Sequence, residues 1–260
     1  MKIAAIIMAA ILFTIFCHWQ NNDIVISRYT YVDLEGFRIA QISDLHNKSF
    51  GENNENLIEL LEEENPDLIV ITGDLVDSRK TNIEVALDFA KKAMKIAPVY
   101  YANGNHEERL SSEELNQLYG GLRESGVIIL ENDYRLIDIG NGQDFYLVGI
   151  NNKNLRDQTL KKLMKNLEDD KITVLLAHRP QYISEYAKSE VDLIFSGHAH
   201  GGQIILPFIG GVLAPDQGFF PKYTSGKYEL NDSTMIVSRG LGNSLFPLRL
   251  FNRPDLVIVN

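Results

Sequence analysis

Five short segments of this 260-residue chain carry side chains that bind metals or move protons. They are Asp44-Leu45-His46, Gly73-Asp74-Leu75-Val76-Asp77, Gly104-Asn105-His106-Glu107, the lone His178, and Gly197-His198-Ala199-His200. Five of the six histidines lie in them, each segment following an apolar run. Imidazole is the commonest protein metal ligand and the usual acid or base near neutral pH. With the carboxylates of Asp44 and Asp74, and a single cysteine (Cys17) elsewhere, the ligand chemistry is nitrogen and oxygen without thiolate. That set suits zinc, iron or manganese. Residues two apart on an extended segment share a face, so Asp44 with His46 and His198 with His200 are expected as two facing pairs. Asp74 between them would bridge two cations about 3.5 to 4 Å apart, an arrangement that activates water as hydroxide for in-line attack on a phosphate ester. Gly73, Gly104 and Gly197 are expected at sharp bends that aim these side chains. Any one such segment is usually a solvated turn. Their joint occurrence, each after an apolar run, is what argues for chemistry.

The elements that must hold these residues are legible as alternating patterns. Apolar runs of strand type at residues 37–43, 68–72, 99–101, 172–177 and 191–195 lead into the five segments, and a sixth lies at 145–150. Helical stretches separate them at 53–64, 82–95, 111–124 and 157–167. Ser111 and Glu114 have the spacing of a capping box, and Asn65-Pro66 stops the helix before it. Alternation of this kind predicts an α/β architecture that binds ligands outside the carboxyl ends of its strands. Runs at 203–206, 227–230, 234–238 and 256–259, with few helices between them, predict a second and more antiparallel sheet packed on the first. No linker or repeat interrupts residues 29–260, which read as one domain and a monomer.

Residues 3–17 form an apolar run preceded by Lys2 and followed by Trp19. The competing readings are a membrane anchor and a cleaved signal peptide. No small-x-small site follows the run, because Phe16, Cys17, His18 and Trp19 occupy that stretch, so residues 1–20 are read as an uncleaved single-pass anchor. His18 then reads as an interfacial side chain. Lys2 before the span and Asn21, Asn22 and Asp23 after it place the domain on the extracytoplasmic side of the cell membrane. A formal net charge of −10 argues against a nucleic-acid binder, which normally presents a basic stripe.

At the five segments the chain resembles the calcineurin-like metallophosphoesterases, whose blocks D-x-H, G-D-x-x-D, G-N-H-E/D, a lone H and G-H-x-H occur here in order over residues 44–200. The resemblance implies a four-layer α/β/β/α sandwich. It also implies roles: Asp44, His46 and His200 on one divalent metal, Asn105, His178 and His198 on the other, and Asp74 on both. His106 resembles the family's non-ligand histidine that contacts the phosphate and assists the leaving group, with Asp77 orienting it and raising its pKa. The second block continues as Ser78-Arg79-Lys80, where the protein phosphatase branch has Asp-Arg-Gly, which argues against phosphoprotein phosphatase activity. Gly197 to Gln203, Phe219 to Tyr223 and Ser238 to Gly242 are instead similar to a bacterial membrane-associated phosphodiesterase branch with UDP-diacylglucosamine hydrolase-like members.

Two segments stand outside these blocks. Residues 204–221 are unusually apolar for a connection and read either as part of the second sheet or as a rim that meets lipid beside the metals; residues 244–249 would add to that rim. Burial of Phe208, Val212, Leu213 and Phe219 would exclude the rim. Arg179, directly after His178, reads as a phosphate contact or a surface ion pair. The expected activity is hydrolysis of a phosphate ester, a diester before a monoester and lipid-linked esters included. The competing class is a non-catalytic, membrane-tethered binding module that keeps the fold.

Overall fold

The computed structural model describes residues 2–140, 144–155, 158–168, 170–243 and 247–260. Helix α1 (Lys2–Asn22) leads into strand β1 (Val25–Tyr29), and β2 (Ile39–Ile42) follows. Then come α2 (Glu55–Glu64), β3 (Leu68–Thr72), α3 (Ile83–Ala93), β4 (Val99–Ala102), α4 (Ser112–Glu124) and β5 (Ile128–Ile129). The middle of the chain forms β6 (Asp133–Asp138), β7 (Asp144–Gly149), α5 (Thr159–Met164), β8 (Ile172–Leu176), α6 (Ile183–Ala187) and β9 (Leu193–Ser196). Two short hairpins follow, β10 (Ile205–Leu206) with β11 (Gly210–Gly211) and β12 (Leu213–Ala214) with β13 (Gly218–Phe219), and then β14 (Gly226–Leu230), β15 (Ser233–Val237) and β16 (Asp255–Val259).

These strands build two six-stranded sheets, ordered β1-β16-β2-β3-β4-β5 and β14-β15-β9-β8-β7-β6. Alternation along the strands explains the layers. In β3, Ile69 and Ile71 join the cluster of Leu57, Leu61, Phe89 and Leu122 beneath α2, α3 and α4. Leu68 and Val70 point the other way and meet Val174, Leu176, Leu193 and Phe195 of the second sheet. The outer face of that sheet, Leu175, Ile194 and Met235, is covered by Leu160 of α5 and by Ile183 and Tyr186 of α6. The result is the α/β/β/α sandwich. The capping box of α4 forms as the spacing predicts, Ser111 Oγ accepting from the Glu114 N–H and the Glu114 carboxylate from the Ser111 N–H.

Four expectations are corrected. The second sheet is not mainly antiparallel: β15, β9, β8 and β7 run parallel, with antiparallel partners only at its edges, β14 and β6. The run at 256–259 does not belong to it. As β16 it enters the first sheet between β1 and β2, parallel to the former and antiparallel to the latter. Nor does the run at 203–206 join the second sheet, forming only the two-residue β10, which pairs with β11 in a separate hairpin. The helix expected over 157–167 spans Thr159–Met164, its first expected residue, Asp157, lying outside the described residues.

Among the described residues α1 is the one helix long and apolar enough to cross a membrane, and it is exposed from Lys2 to Ile15. Its last turns dock on the domain. Cys17 and Gln20 are buried, the Phe16 ring lies 5.8 Å from that of Phe251, Arg253 stacks over Trp19, and the Lys48 ammonium bonds the Asn21 carbonyl. His18 is exposed.

Candidate metal centre

The carboxyl ends of β2, β3 and β4 in one sheet and of β8 and β9 in the other converge on one rim. Asp44 and His46 follow β2, Asp74 follows β3, Asn105 and His106 follow β4, His178 follows β8, and His198 and His200 follow β9. All eight are buried. Hydrogen bonds within and between the sheets fix the rim: Gln41 donates to Thr72 Oγ1 of its own sheet and to the Ser196 carbonyl of the other, and the His198 N–H donates to the Asp44 carboxylate.

The backbone reason for the side-chain pairing differs from strand alternation. Asp44 (φ 53°), His46 (φ 48°), Asp74 (φ 53°), His198 (φ 65°) and His200 (φ 47°) all adopt the left-handed region, so neither Asp-x-His nor His-x-His is extended. Asp and His tolerate this conformation better than most residues, and its cost is typical of functional sites. Hydrogen bonds hold the loops in place, the Asp44 and His46 N–H groups donating to the Gly73 and Asp74 carbonyls. Of the three glycines, only Gly73 (φ 90°) has the backbone of a sharp bend. Gly104 and Gly197 are required by closeness: a Cβ would lie 2.2 Å from Asp74 Oδ1 at the first and 2.3 Å from Asp44 Oδ2 at the second.

The ligand-type atoms form two sets. His46 Nε2 and His200 Nε2 are 3.2 Å apart, and Asp44 Oδ1 is 3.4 Å from the latter. Asp74 Oδ2 lies 3.3 Å from His178 Nε2 and 3.6 Å from His46 Nε2, so one carboxylate oxygen faces both sets. With His198 it completes a second cluster of Asp74, His178 and His198. His178 Nδ1 donates to the Thr72 carbonyl at 2.7 Å, which leaves Nε2 for the centre. The contact of Nε2 with Asp74 is an ion pair, and that nitrogen has no hydrogen-bond partner; nor has the buried Asn105 Oδ1. Buried polar atoms without partners are rare because each is costly. Once His178 Nε2 has lost its proton, converging atoms of this kind are what divalent cations satisfy, and the nitrogen and oxygen donor set fits zinc, iron or manganese.

Burial pushes the imidazoles of His46 and His198 down to about 3 and about 4, and that of His200 well below its ordinary value, so all three are neutral and able to ligate. His178 differs. Burial lowers its pKa, but the Asp74 carboxylate overcomes this and Asp44 adds to it, raising it to about 9. Asp74 responds in the opposite sense: burial raises its pKa, and the neighbouring His178 and His46 hold it well below the ordinary carboxylate value. At neutral pH a cation must therefore displace the His178 proton. Metal affinity is expected to rise roughly tenfold per pH unit below His178's pKa, the dependence ending above about 9. Calorimetric titration in two buffers of different protonation enthalpy should show about one proton released per chain; release of none would contradict this.

His106 enters the same pocket as Asp74, Asn105, His198 and His200. Its Nδ1 accepts from the Ser78 N–H at 3.0 Å, so the neutral ring carries its proton on Nε2. Asp77 lies 3.4 Å from that Nδ1, but both its oxygens are taken by the Arg79 guanidinium. The expected rise in the His106 pKa is not found: burial lowers it, Asp74 and Asp77 oppose this, and Arg109 and Arg79 add to the lowering. Arg179 does not line the pocket; it donates to Asn152 Oδ1 and pairs with Asp216. The guanidinium groups lining it are those of Arg79 and Arg109.

Several residues lacked a signal of their own. Ser78 is an ordinary serine after the second block. Glu107, the last letter of the third block, is buried and accepts from the Asp74 and Gly104 N–H groups, tying two ligand loops together. Burial, and then the Asp74 charge, raise its pKa to about 7. Arg249, which the sequence places in an apolar segment, is fully buried and donates to the carbonyls of Gly242 and Arg239 and to Asn243 Oδ1. The neighbouring residues 244–246 lie outside the described residues.

Two facing sheets with a carboxylate-bridged cluster of histidines at their carboxyl rim define a metal-dependent phosphoric ester hydrolase. The chain belongs to the calcineurin-like phosphoesterase family, which it matches over residues 37–202. It is 29% identical over 229 residues to the metallophosphoesterase YkuE of Bacillus subtilis (strain 168), covering 86% of this chain and 78% of YkuE. Over 226 residues it is likewise 29% identical to phosphodiesterase YaeI of Escherichia coli (strain K12), covering 86% of this chain and 81% of YaeI. In fold it is similar to TT1561 of Thermus thermophilus, with a TM-score of 0.51 at 12% identity over 79% of this chain and 90% of that one.

Proposed function

We propose that this protein is a dinuclear phosphodiesterase whose domain is held at a membrane by residues 1–20. The observation that carries the dinuclear reading is Asp74 Oδ2, which faces His46 Nε2 at 3.6 Å and His178 Nε2 at 3.3 Å and so joins the two ligand sets. Asp44, His46 and His200 would hold one cation, Asn105, His178 and His198 the other, and Asp74 would reach both. Bound there, the pair would supply an activated water and positive charge for the phosphoryl oxygens. The chain's own residues do the rest. His106 acts on the leaving oxygen as the imidazolium, its Nδ1 proton facing the Ser78 hydroxyl and Asp77 Oδ1, and giving up the Nε2 proton returns it to the neutral imidazole. Ser78 and Asp77 position its ring, and Arg79 and Arg109 attract the phosphate to the pocket mouth. The identity to YaeI, named a phosphodiesterase, supports a diester.

The apolar connection supports a substrate presented by lipid. Phe208, Ile209, Leu213, Phe219 and Phe220 are exposed, so the rim is not excluded by burial. The hairpin β10–β11 starts beside Leu250, whose carbonyl accepts from the Ile205 N–H, and Phe251 touches Phe16 at the end of the exposed part of α1. The rim and the anchor thus share one side of the domain. Exposed apolar surface of this kind marks lipid or protein contact.

The test uses the full chain in detergent with manganese, zinc or iron. Bis-p-nitrophenyl phosphate is expected to be hydrolysed faster than p-nitrophenyl phosphate, and a phospholipid in mixed micelles to be cleaved. No turnover of any of the three by a folded, metal-loaded chain would overturn the enzymatic reading. Cleavage of the soluble esters alone would remove lipid from it.

A further inference from the structure

The hydrogen bonds of Arg249 go to neutral acceptors although its side chain is fully buried. Nη1 donates to the Arg239 carbonyl at 3.0 Å, Nη2 to the Gly242 carbonyl at 2.5 Å and Nε to Asn243 Oδ1 at 3.0 Å. Burial lowers its pKa to about 10 and the Asp44 carboxylate opposes this, so the charge persists at neutral pH. A buried charge is costly unless its donors are satisfied, and here the acceptors fix the shape of the loop 239–243. That loop packs on the first ligand. The Leu241 N–H donates to the Ser43 carbonyl at 3.0 Å and the Gly242 N–H to the Asp44 carbonyl at 2.6 Å. A Cβ on Gly240 would lie 2.8 Å from the Asp44 Cβ, and one on Gly242 2.1 Å from the Leu45 carbonyl oxygen. The left-handed backbone of Asp44 persists only while its surroundings enforce it. The Gly73 carbonyl does so from one side and the loop braced by Arg249 from the other.

The same network continues into α1. Asn243 Nδ2 donates at 2.8 Å to Oδ1 of Asn21, in the last turn of that helix, and the Lys48 ammonium, two residues beyond His46, bonds the Asn21 carbonyl. Just after Arg249, Phe251 packs on Phe16 and the Arg253 guanidinium stacks over Trp19. Between them Asn252, fully buried, donates to the His200 carbonyl at 2.7 Å. The end of α1 thus reaches the loops of Asp44, His46 and His200, the three residues that cluster as one ligand set. The other set is held by different residues: the Thr72 carbonyl accepts from His178, Asp216 meets His198, and Glu107 accepts from the loop of Asn105.

We propose that Arg249 and Asn243 are positioning residues for Asp44, and that the last turn of α1 completes the same clamp. Docking of the helix end then sets the affinity for the cation assigned to Asp44, His46 and His200. The proposal rests on the dinuclear reading above. It gives the helix read as an anchor a second role, because a shift of its end against the domain is passed to these ligands through Asn21, Asn243 and Arg249.

The test is manganese titration of the full chain in detergent, followed by calorimetry. The wild type is expected to bind two ions in two steps, and the step that His200→Ala abolishes identifies the position in question. Asn21→Ala keeps the helix and removes the acceptor, whereas Asn21→Asp retains an acceptor for Asn243. Asn243→Ala cuts the link from the other side and also takes one partner from Arg249. Asn21→Ala is expected to weaken the identified step about three- to tenfold, Asn21→Asp to stay within about twofold, and the other step to stay within about twofold in both. Asn243→Ala should cost at least as much as Asn21→Ala, and the double variant no more than Asn243→Ala, since the bond between them can be lost only once. An unchanged step in both alanine variants would overturn the proposal. So would an equal loss in both steps, which would make the network a support of the fold in general. Fewer than two ions in the wild type would overturn the dinuclear reading and this proposal together.

Discussion

Replacing Asp74 with alanine is expected to empty both cation positions at once and to lower turnover by at least about 10³-fold. One oxygen of this carboxylate faces His46 and His178, and the other accepts the His106 N–H at 2.8 Å. Its loss removes the one ligand shared by the two sets and frees the backbone that places His106. It also leaves His178 buried without the charge that favours its protonated form, so the site loses the means to hold either a proton or a cation there. His200→Ala is the informative contrast, since it takes one donor from one set. Elemental analysis of dialysed protein is expected to give less than one metal per chain for Asp74→Ala and about one for His200→Ala. Two metals retained by Asp74→Ala would contradict the bridging role.

The second large effect is at His106. His106→Ala is expected to lower turnover by about 10²- to 10⁴-fold while metal content stays near two. The size of the defect should depend on the leaving group. An alkoxide needs a proton to depart, whereas p-nitrophenolate leaves readily without one. The loss is therefore expected to be at least tenfold greater on an alkyl phosphodiester than on bis-p-nitrophenyl phosphate. An equal loss on both would assign His106 to phosphate binding instead of proton transfer.

The clustering of the candidate ligands is legible in the sequence to an unusual degree because each of them follows a strand end. A buried parallel strand is a short apolar run, and the residue after it has few places to go. The five segments could thus be placed on one rim before the sheets were known. What the sequence concealed has specific physical causes. The pairing of Asp44 with His46 is a matter of left-handed backbone, which no pattern of apolar and polar residues encodes. Residues 25–29 lie before or at the start of the stretch read as the domain and are not among the runs read as strands, and nothing local in 256–259 tells that it pairs with them across the whole chain. Asp216, the partner of His198 and Arg179, lies in Pro-Asp-Gln-Gly, the composition of any surface turn. Ser78 meets His106 Nδ1 with both its backbone N–H and its hydroxyl, but in Asp-Ser-Arg-Lys it has the look of any surface serine. Arg249 reads as a surface cation because arginines are rarely buried, and its environment is set by carbonyls brought from residues 239 and 242.

The place of β16 between β1 and β2 also bears on biosynthesis. β1 and β2 are made early, but the strand that joins them comes more than two hundred residues later, and Leu241 and Gly242 must arrive to bond the Ser43 and Asp44 carbonyls. Contacts so distant in sequence form late, after the loop between them has closed. While the ribosome is still translating the middle of the chain, α1 can already have engaged the bilayer, yet the strand carrying Asp44 and His46 has an open edge. With α1 as the anchor proposed above, the nascent protein would be tethered before it is competent, since its first sheet is complete only once residues 255–259 have been made.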